Sequence, residues 1–105
     1  MNGITPNLEM TTRHELMRLI GCILCLREGW GYVPPQIHHI SGTKTQQAHA
    51  ETLGLCYYHH MADQQQPPDQ RYTSRHPYKK RFELRYGTER ELLEYQNKLL
   101  EDYHG

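Results

Sequence analysis

The sequence has no surplus of either charge: twelve Lys and Arg face twelve Asp and Glu among 105 residues. No global field therefore recruits nucleic acid or an anionic membrane. Long hydrophobic runs are missing as well. No apolar stretch approaches the roughly 18 residues of a membrane span, and no signal-peptide pattern opens the chain. These absences lead to the expectation of a soluble, cytoplasmic protein. Apolar side chains are scarce, at 36% of residues, and mean hydropathy is strongly negative. A chain of this size is one domain near the small end of what folds on a single core, and a structural metal is a usual supplement. Three cysteines is an odd number, which argues against a closed disulfide framework instead.

What is present is a spaced set of thiols and imidazoles. Cys22-x-x-Cys25 is followed about thirty residues on by Cys56-x-x-His59, which is metal-ligand spacing. Four such ligands close a tetrahedral zinc and leave no open position. Two other readings stand beside it: a redox pair, around which no strand-helix-strand pattern is seen, and three buried cysteines with a hydrogen-bonded histidine. His60 follows His59 directly. Neighbouring residues on a helix lie about 100° apart, so the two rings cannot easily face one metal. If His59 faces the thiols, His60 is free to face the pair His38-His39.

The surrounding pattern suggests a small α+β fold. Residues 1–11 carry no periodicity and are expected to be a loose tail, with a single domain over 12–105. Thr12-x-x-Glu15 is a capping box. Leu16, Leu19 and Ile20 form a short apolar stripe, and Gly21 stops that helix. Gly29 to Pro35 is turn-rich and leads to a strand at Gln36-Ile37-His38-His39-Ile40. A polar loop from Ser41 to Gln47 leads to a returning arm, Ala48 to Gly54, which carries His49. Leu55 to about Ala62 opens a helix. Residues 63–75, with Pro67-Pro68, read as an irregular connection.

His76-Pro77 has the form of an N-cap followed by a first helical residue. Tyr78, Phe82 and Tyr86 recur at helical spacing as one buried face, and Gly87 closes that helix. Thr88-x-x-Glu91 is a second capping box, before a helix with Leu92, Leu93, Leu99, Leu100 and Tyr103 on one side. The helical C-terminal part is expected over 76–103. His14 and His104 read as surface residues. Charge is uneven locally: Arg71, Arg75, Lys79, Lys80, Arg81, Arg85 and Arg90 fall in a stretch opposed only by Glu83 and Glu89. Such a run is either a phosphate-binding patch or a solvated helix face.

With His38-His39-Ile40, a polar loop and Leu55-Cys56-x-x-His59-His60 in place, the chain resembles the HNH (ββα-metal) endonucleases. Cys22-x-x-Cys25 ahead of the strand, His49 ahead of Cys56, and Arg75-His76 leading to Phe82 and Tyr86-Gly87-Thr88-Glu89 narrow the likeness. They make the chain similar to the phage recombination-enhancing, RecA-dependent (Ref-type) nuclease branch, over roughly residues 12 to 100. No Asn stands between the two histidine clusters, and His49 occupies that region.

The resemblance implies a zinc knuckle and ββα-metal core at 21–62, in a DNA endonuclease of phage or prophage origin that works in a bacterial cell. Cys22, Cys25, Cys56 and His59 would hold structural zinc. His38 and His60 would hold one catalytic divalent ion (Mg2+, Mn2+, Ni2+ or Zn2+), and His39 would be the general base. His49 would orient that base or add a ligand, and His76 has a weaker claim to the site. DNA, in this branch RecA-coated DNA, would be the partner, touched through Lys44, Arg75, Lys79, Lys80 and Arg81. A regular strand turns His38 and His39 to opposite faces, so a shared site requires the strand to bend or end there. A non-catalytic zinc-finger module binding DNA or protein is the alternative, and a redox or metal-storage protein is a third. The zinc-finger module has no need for His38, His39 and His60 together, and a redox or metal-storage protein leaves the helix caps and the basic segment unexplained.

Overall fold

The computed structural model describes residues 3–61, 73–76 and 78–104. Helix α1 runs Leu8–Ile20, α2 Ile23–Arg27 and strand β1 Gln36–His39. Helix α3 is Gln46–Ala50, β2 Thr52–Leu55 and α4 Tyr57–His60, followed by α5 Lys79–Tyr86 and α6 Glu89–His104. The mixed α+β expectation holds. The two strands form one antiparallel sheet, with His38 opposite Leu53 and His39 opposite Thr52. A lone two-stranded sheet is marginal in water, and here α1, α2 and α6 pack against it. Among the described residues no helix is long and apolar enough to cross a membrane.

Gly21 stops α1 at φ +93° and turns the chain into the cysteine pair; Tyr32 packs where a Cβ would project. A non-glycine residue would be strained there twice over. The core is small: Cys22, Ile23, Leu24, Cys25, Leu53, Leu55, Cys56, Phe82, Tyr86 and Leu92 are buried in one cluster. Phe82 and Tyr86 come from α5 and Leu92 from α6, as their spacing predicts. The second capping box also forms, with Thr88 Oγ1 accepting from Glu91 N and Glu91 Oε1 from Thr88 N.

Several local expectations need correction. Helix α1 begins at Leu8, inside the stretch read as a tail, because Asn7 Oδ1 caps Met10 N ahead of the Thr12 box. Residues 4–7 are bound as well: Ile4 N donates to Thr43 O, and Asn7 N to Gln46 Oε1. The buried face of α1 carries His14 and Met17, while Leu19 is exposed. His49 lies on a helix and not on a strand arm, since Thr45 Oγ1 caps Ala48 N and starts α3. His76 does not cap a helix. Its N–H is taken by His60 O at 2.9 Å, and α5 starts at Lys79. Tyr78 is exposed, so the α5 face is narrower than expected. Most of the 63–75 connection lies outside the described residues, as does Pro77.

Gly54 joins the sheet to α6. Its N–H donates to Oε1 of the fully buried Gln96 at 2.8 Å, and Gly21 O lies 3.2 Å from where a Cβ would stand. Replacing Gln96 by Leu keeps the volume but strands the Gly54 N–H, at a cost of about 1–3 kcal/mol. Chemical denaturation of Gln96→Leu should show that loss, and an unchanged midpoint would show that the bond contributes nothing.

Candidate metal centres

Two short helices deliver the first cluster. Cys22 is the N-cap of α2, where its Sγ accepts from Cys25 N, and Cys56 is the N-cap of α4, three residues before His59. All four side chains are buried, and their donor atoms lie within 4.8 Å of one another. Cys25 Sγ is 3.7 Å from Cys56 Sγ. His59 Nδ1 is 3.4, 3.7 and 3.2 Å from the sulfurs of Cys22, Cys25 and Cys56.

A tetrahedral ion with about 2.3 Å bonds to sulfur and about 2.0–2.1 Å to nitrogen needs edges of roughly 3.5–3.8 Å. The donors fit such an ion with almost no movement. A hydrogen bond from Cys22 holds the Cys56 thiol down, and the same bond together with burial pushes Cys22 up. His59 is wedged between Trp30, which stacks on it, and the edge of Tyr86. That these four residues would gather was legible in the sequence; that Trp30 stacks on His59 was not.

β1 feeds two further clusters, one from each face. On one side His38 meets His60 and His76, all three offering ring nitrogens within 4.8 Å. His38 Nε2 donates to Glu89 Oε2 at 2.6 Å, and Arg75 Nε donates to the same oxygen at 3.0 Å. Burial opposes ionisation of Glu89, yet these two bonds outweigh it and hold the carboxyl near 2. His60 Nδ1 donates to Gln36 Oε1 at 2.7 Å. Since carboxylate and amide oxygens only accept, His38 keeps its lone pair on Nδ1 and His60 on Nε2.

A ring whose far nitrogen is tied this way is the usual form of a metal-binding histidine. Burial, then His38, His76 and Arg75, lower His60 to about 4; burial and Arg75 lower His76. Both rings are neutral at pH 7, as a ligand must be. Glu89 and Gln36 were missed by sequence reasoning, because each has the look of an ordinary polar residue at the end of an element.

On the opposite face of β1, His39 Nε2 lies 3.0 Å from His49 Nδ1, and the buried His14 completes a third group. His14, read from the sequence as a surface residue, in fact donates through Nε2 to His49 O at 3.0 Å. His49 Nε2 donates to Ile4 O at 2.8 Å. The structure therefore separates the paired histidines: His38 joins His60, and His39 joins His49.

The remaining basic candidates differ among themselves. Lys44, Lys79, Lys80 and Arg81 are exposed, with Arg81 over the Tyr78 ring at 5.1 Å. Arg75 is only 15% exposed and already engaged by Glu89. The sequence pattern described as recombination enhancement, RecA-dependent nuclease matches residues 6–101. The chain belongs to that family. Its match spans every residue of the three clusters, together with Glu89 and the basic turn of α5. No curated protein matches the chain.

Cys56→Ala should unfold and lose its bound zinc, whereas His60→Ala should remain folded and keep the thiolate-bound equivalent. Elemental analysis beside circular dichroism checks this, and unfolding with complete zinc loss in both variants would show the ligands to be divided differently.

Proposed function

We propose that this protein is a metal-dependent DNA endonuclease of the HNH (ββα-metal) type. The family's description supplies the nuclease activity. The observation that carries the type is the β1-β2-α4 unit, which joins His38 and His60 in one cluster and leaves His39 hydrogen-bonded on the other face. In this reading Cys22, Cys25, Cys56 and His59 hold structural zinc. His38 and His60, with His76 as a third ligand, hold the catalytic ion. That ion, when bound, supplies a Lewis acid to the scissile phosphate and to the departing oxygen. Three imidazoles and no directly facing carboxylate make a softer site than magnesium prefers, so Mn2+, Ni2+, Co2+ or Zn2+ should serve better.

His39 is the general base. His49 can offer only a lone pair from Nδ1, because its Nε2 proton is given to Ile4 O. His39 must then donate from Nε2, which leaves its own Nδ1 as the basic nitrogen. Burial, then His49, His14 and His38, lower its pKa, so it is neutral at pH 7 and able to take a proton from water. The water oxygen bonds to phosphorus as the bond to the 3′ oxygen breaks, giving a 5′-phosphate and a 3′-hydroxyl. In this reading the phosphate lies across the end of β1, where the base and the His38–His60 cluster can serve it together. His49 is a positioning residue for the base.

The substrate we infer is DNA, presented by a RecA filament as the family's description suggests. Lys44, Lys79, Lys80 and Arg81 would neutralise phosphates, with little sequence readout. Arg75 acts through Glu89 instead of on DNA. Incubation of plasmid and single-stranded DNA with manganese, with and without RecA filaments, should give nicking that His39→Ala lowers by about 10²–10⁴-fold. No cutting in any condition, or equal cutting by the variant, would leave the zinc-finger binding module as the better reading. Joint replacement of Lys79, Lys80 and Arg81 by Ala should raise KM and flatten its salt dependence by about 0.7–0.9 for each phosphate no longer neutralised. An unchanged salt slope would remove α5 from the DNA interface.

A further inference from the structure

The group on the far face of β1 has the features of a metal site that neither the base nor the structural zinc requires. His14 comes from α1, His39 from β1 and His49 from α3, and their donor atoms lie within 4.8 Å of one another. Two of the three rings are tied as metal-binding histidines are: His14 Nε2 donates to the His49 carbonyl and His49 Nε2 to the Ile4 carbonyl. Both therefore keep a lone pair on Nδ1. Bonds of about 2.0–2.1 Å to a tetrahedral ion would set neighbouring nitrogens roughly 3.3–3.4 Å apart. His39 Nε2 and His49 Nδ1 are already 3.0 Å apart, so a few tenths of an ångström separate the hydrogen-bonded state from a bridged one.

His14 and His49 are buried and His39 is partly open, which gives an ion one side of approach. Nearby Arg13 is turned away, its guanidinium donating to Thr52 and Asn97. We propose that His14, His39 and His49 form a second transition-metal site, suited to zinc, whose occupancy inhibits the nuclease.

The inhibition rests on the reading of His39 as the base; the binding does not. Without the ion, His39 carries its proton on Nε2 and its lone pair on Nδ1. An ion bound through Nε2 requires that proton to move to Nδ1 of the same ring. No net proton is released, and the basic nitrogen is lost. His14 has no part in the ion-free reaction, so it is the position at which inhibition can be separated from catalysis.

Zinc alone is the probe. Equilibrium dialysis of the full chain should bind three equivalents in the wild type and two in both His14→Phe and His14→Gln. The Gln amide can still donate to the His49 carbonyl, so it separates loss of a ligand from loss of packing. His60→Ala should lose a different equivalent. If the catalytic-ion reading fails, His60→Ala binds as the wild type does, and the His14 comparison still stands.

Loss of a ligand should lower affinity at this site by more than the about 10–100-fold that outer-shell partners cost. In nicking assays supported by manganese, added zinc should inhibit the wild type and spare the folded His14 variants. Equal zinc stoichiometry in the wild type and both folded His14 variants would overturn the site. Equal inhibition of all three proteins would overturn its link to the base.

Discussion

The Cys22, Cys25, Cys56 and His59 cage is the constraint on which the rest of the molecule depends. It joins the N-caps of α2 and α4, two helices of five and four residues that could not persist alone. The core around it contributes few large apolar side chains, and three of its ten clustered residues are the cysteines themselves. An ion there would both substitute for missing hydrophobic burial and fix the rotation of α4. Once His59 points into the cage, His60 points about a quarter-turn away, and the partners it meets are carried by β1 and the segment before α5.

The second organising feature is the alternation of β1. A strand that faces its residues in opposite directions is poorly suited to a single compact site, yet well suited to keeping two neighbouring imidazoles in different chemical states. His38 is tied to a carboxylate and His39 to another imidazole. Glu89 makes the difference on one face: it accepts hydrogen bonds from His38 and from the Arg75 cation, and its own burial would be costly without both. On the other face the N-terminal segment matters, because the Ile4 carbonyl decides which nitrogen of His49 is free. Residues with no pattern of their own are thereby connected to the chemistry.

Much of this was legible in the sequence, for reasons particular to each element. Ligand spacing of two residues between donors is a local property, so the cage could be read directly. The same holds for Gly21, Gly87 and the Thr88–Glu91 box, where a backbone requirement is met within a turn. His38 with His60 followed from assuming that His59 was already engaged. What was hidden depends on contacts across the fold. Asn7 caps α1 while Gln46 holds its N–H, so the helix start was set by the first residue of α3, some forty residues away. His14 on α1 reads as polar and exposed until its partner on α3 is known. Gln96, in the middle of an otherwise leucine-lined face, gives no sign that it supports β2. His76 looked like a cap because Pro77 follows it, whereas α4's last carbonyl had claimed its N–H. Alternation was seen in β1 but not its consequence, the division of the paired histidines between two clusters.

The central claim is that adjacent histidines belong to different metals, and cobalt(II) substitution tests it most directly. Cobalt bound by thiolates gives a sulfur-to-metal charge-transfer band that an all-imidazole site lacks. The account predicts that His60→Ala keeps this band and the unfolding temperature of the parent protein, while His59→Ala weakens or shifts the band and unfolds at lower temperature. Equal changes in the two variants, or a band altered by His60→Ala alone, would contradict it.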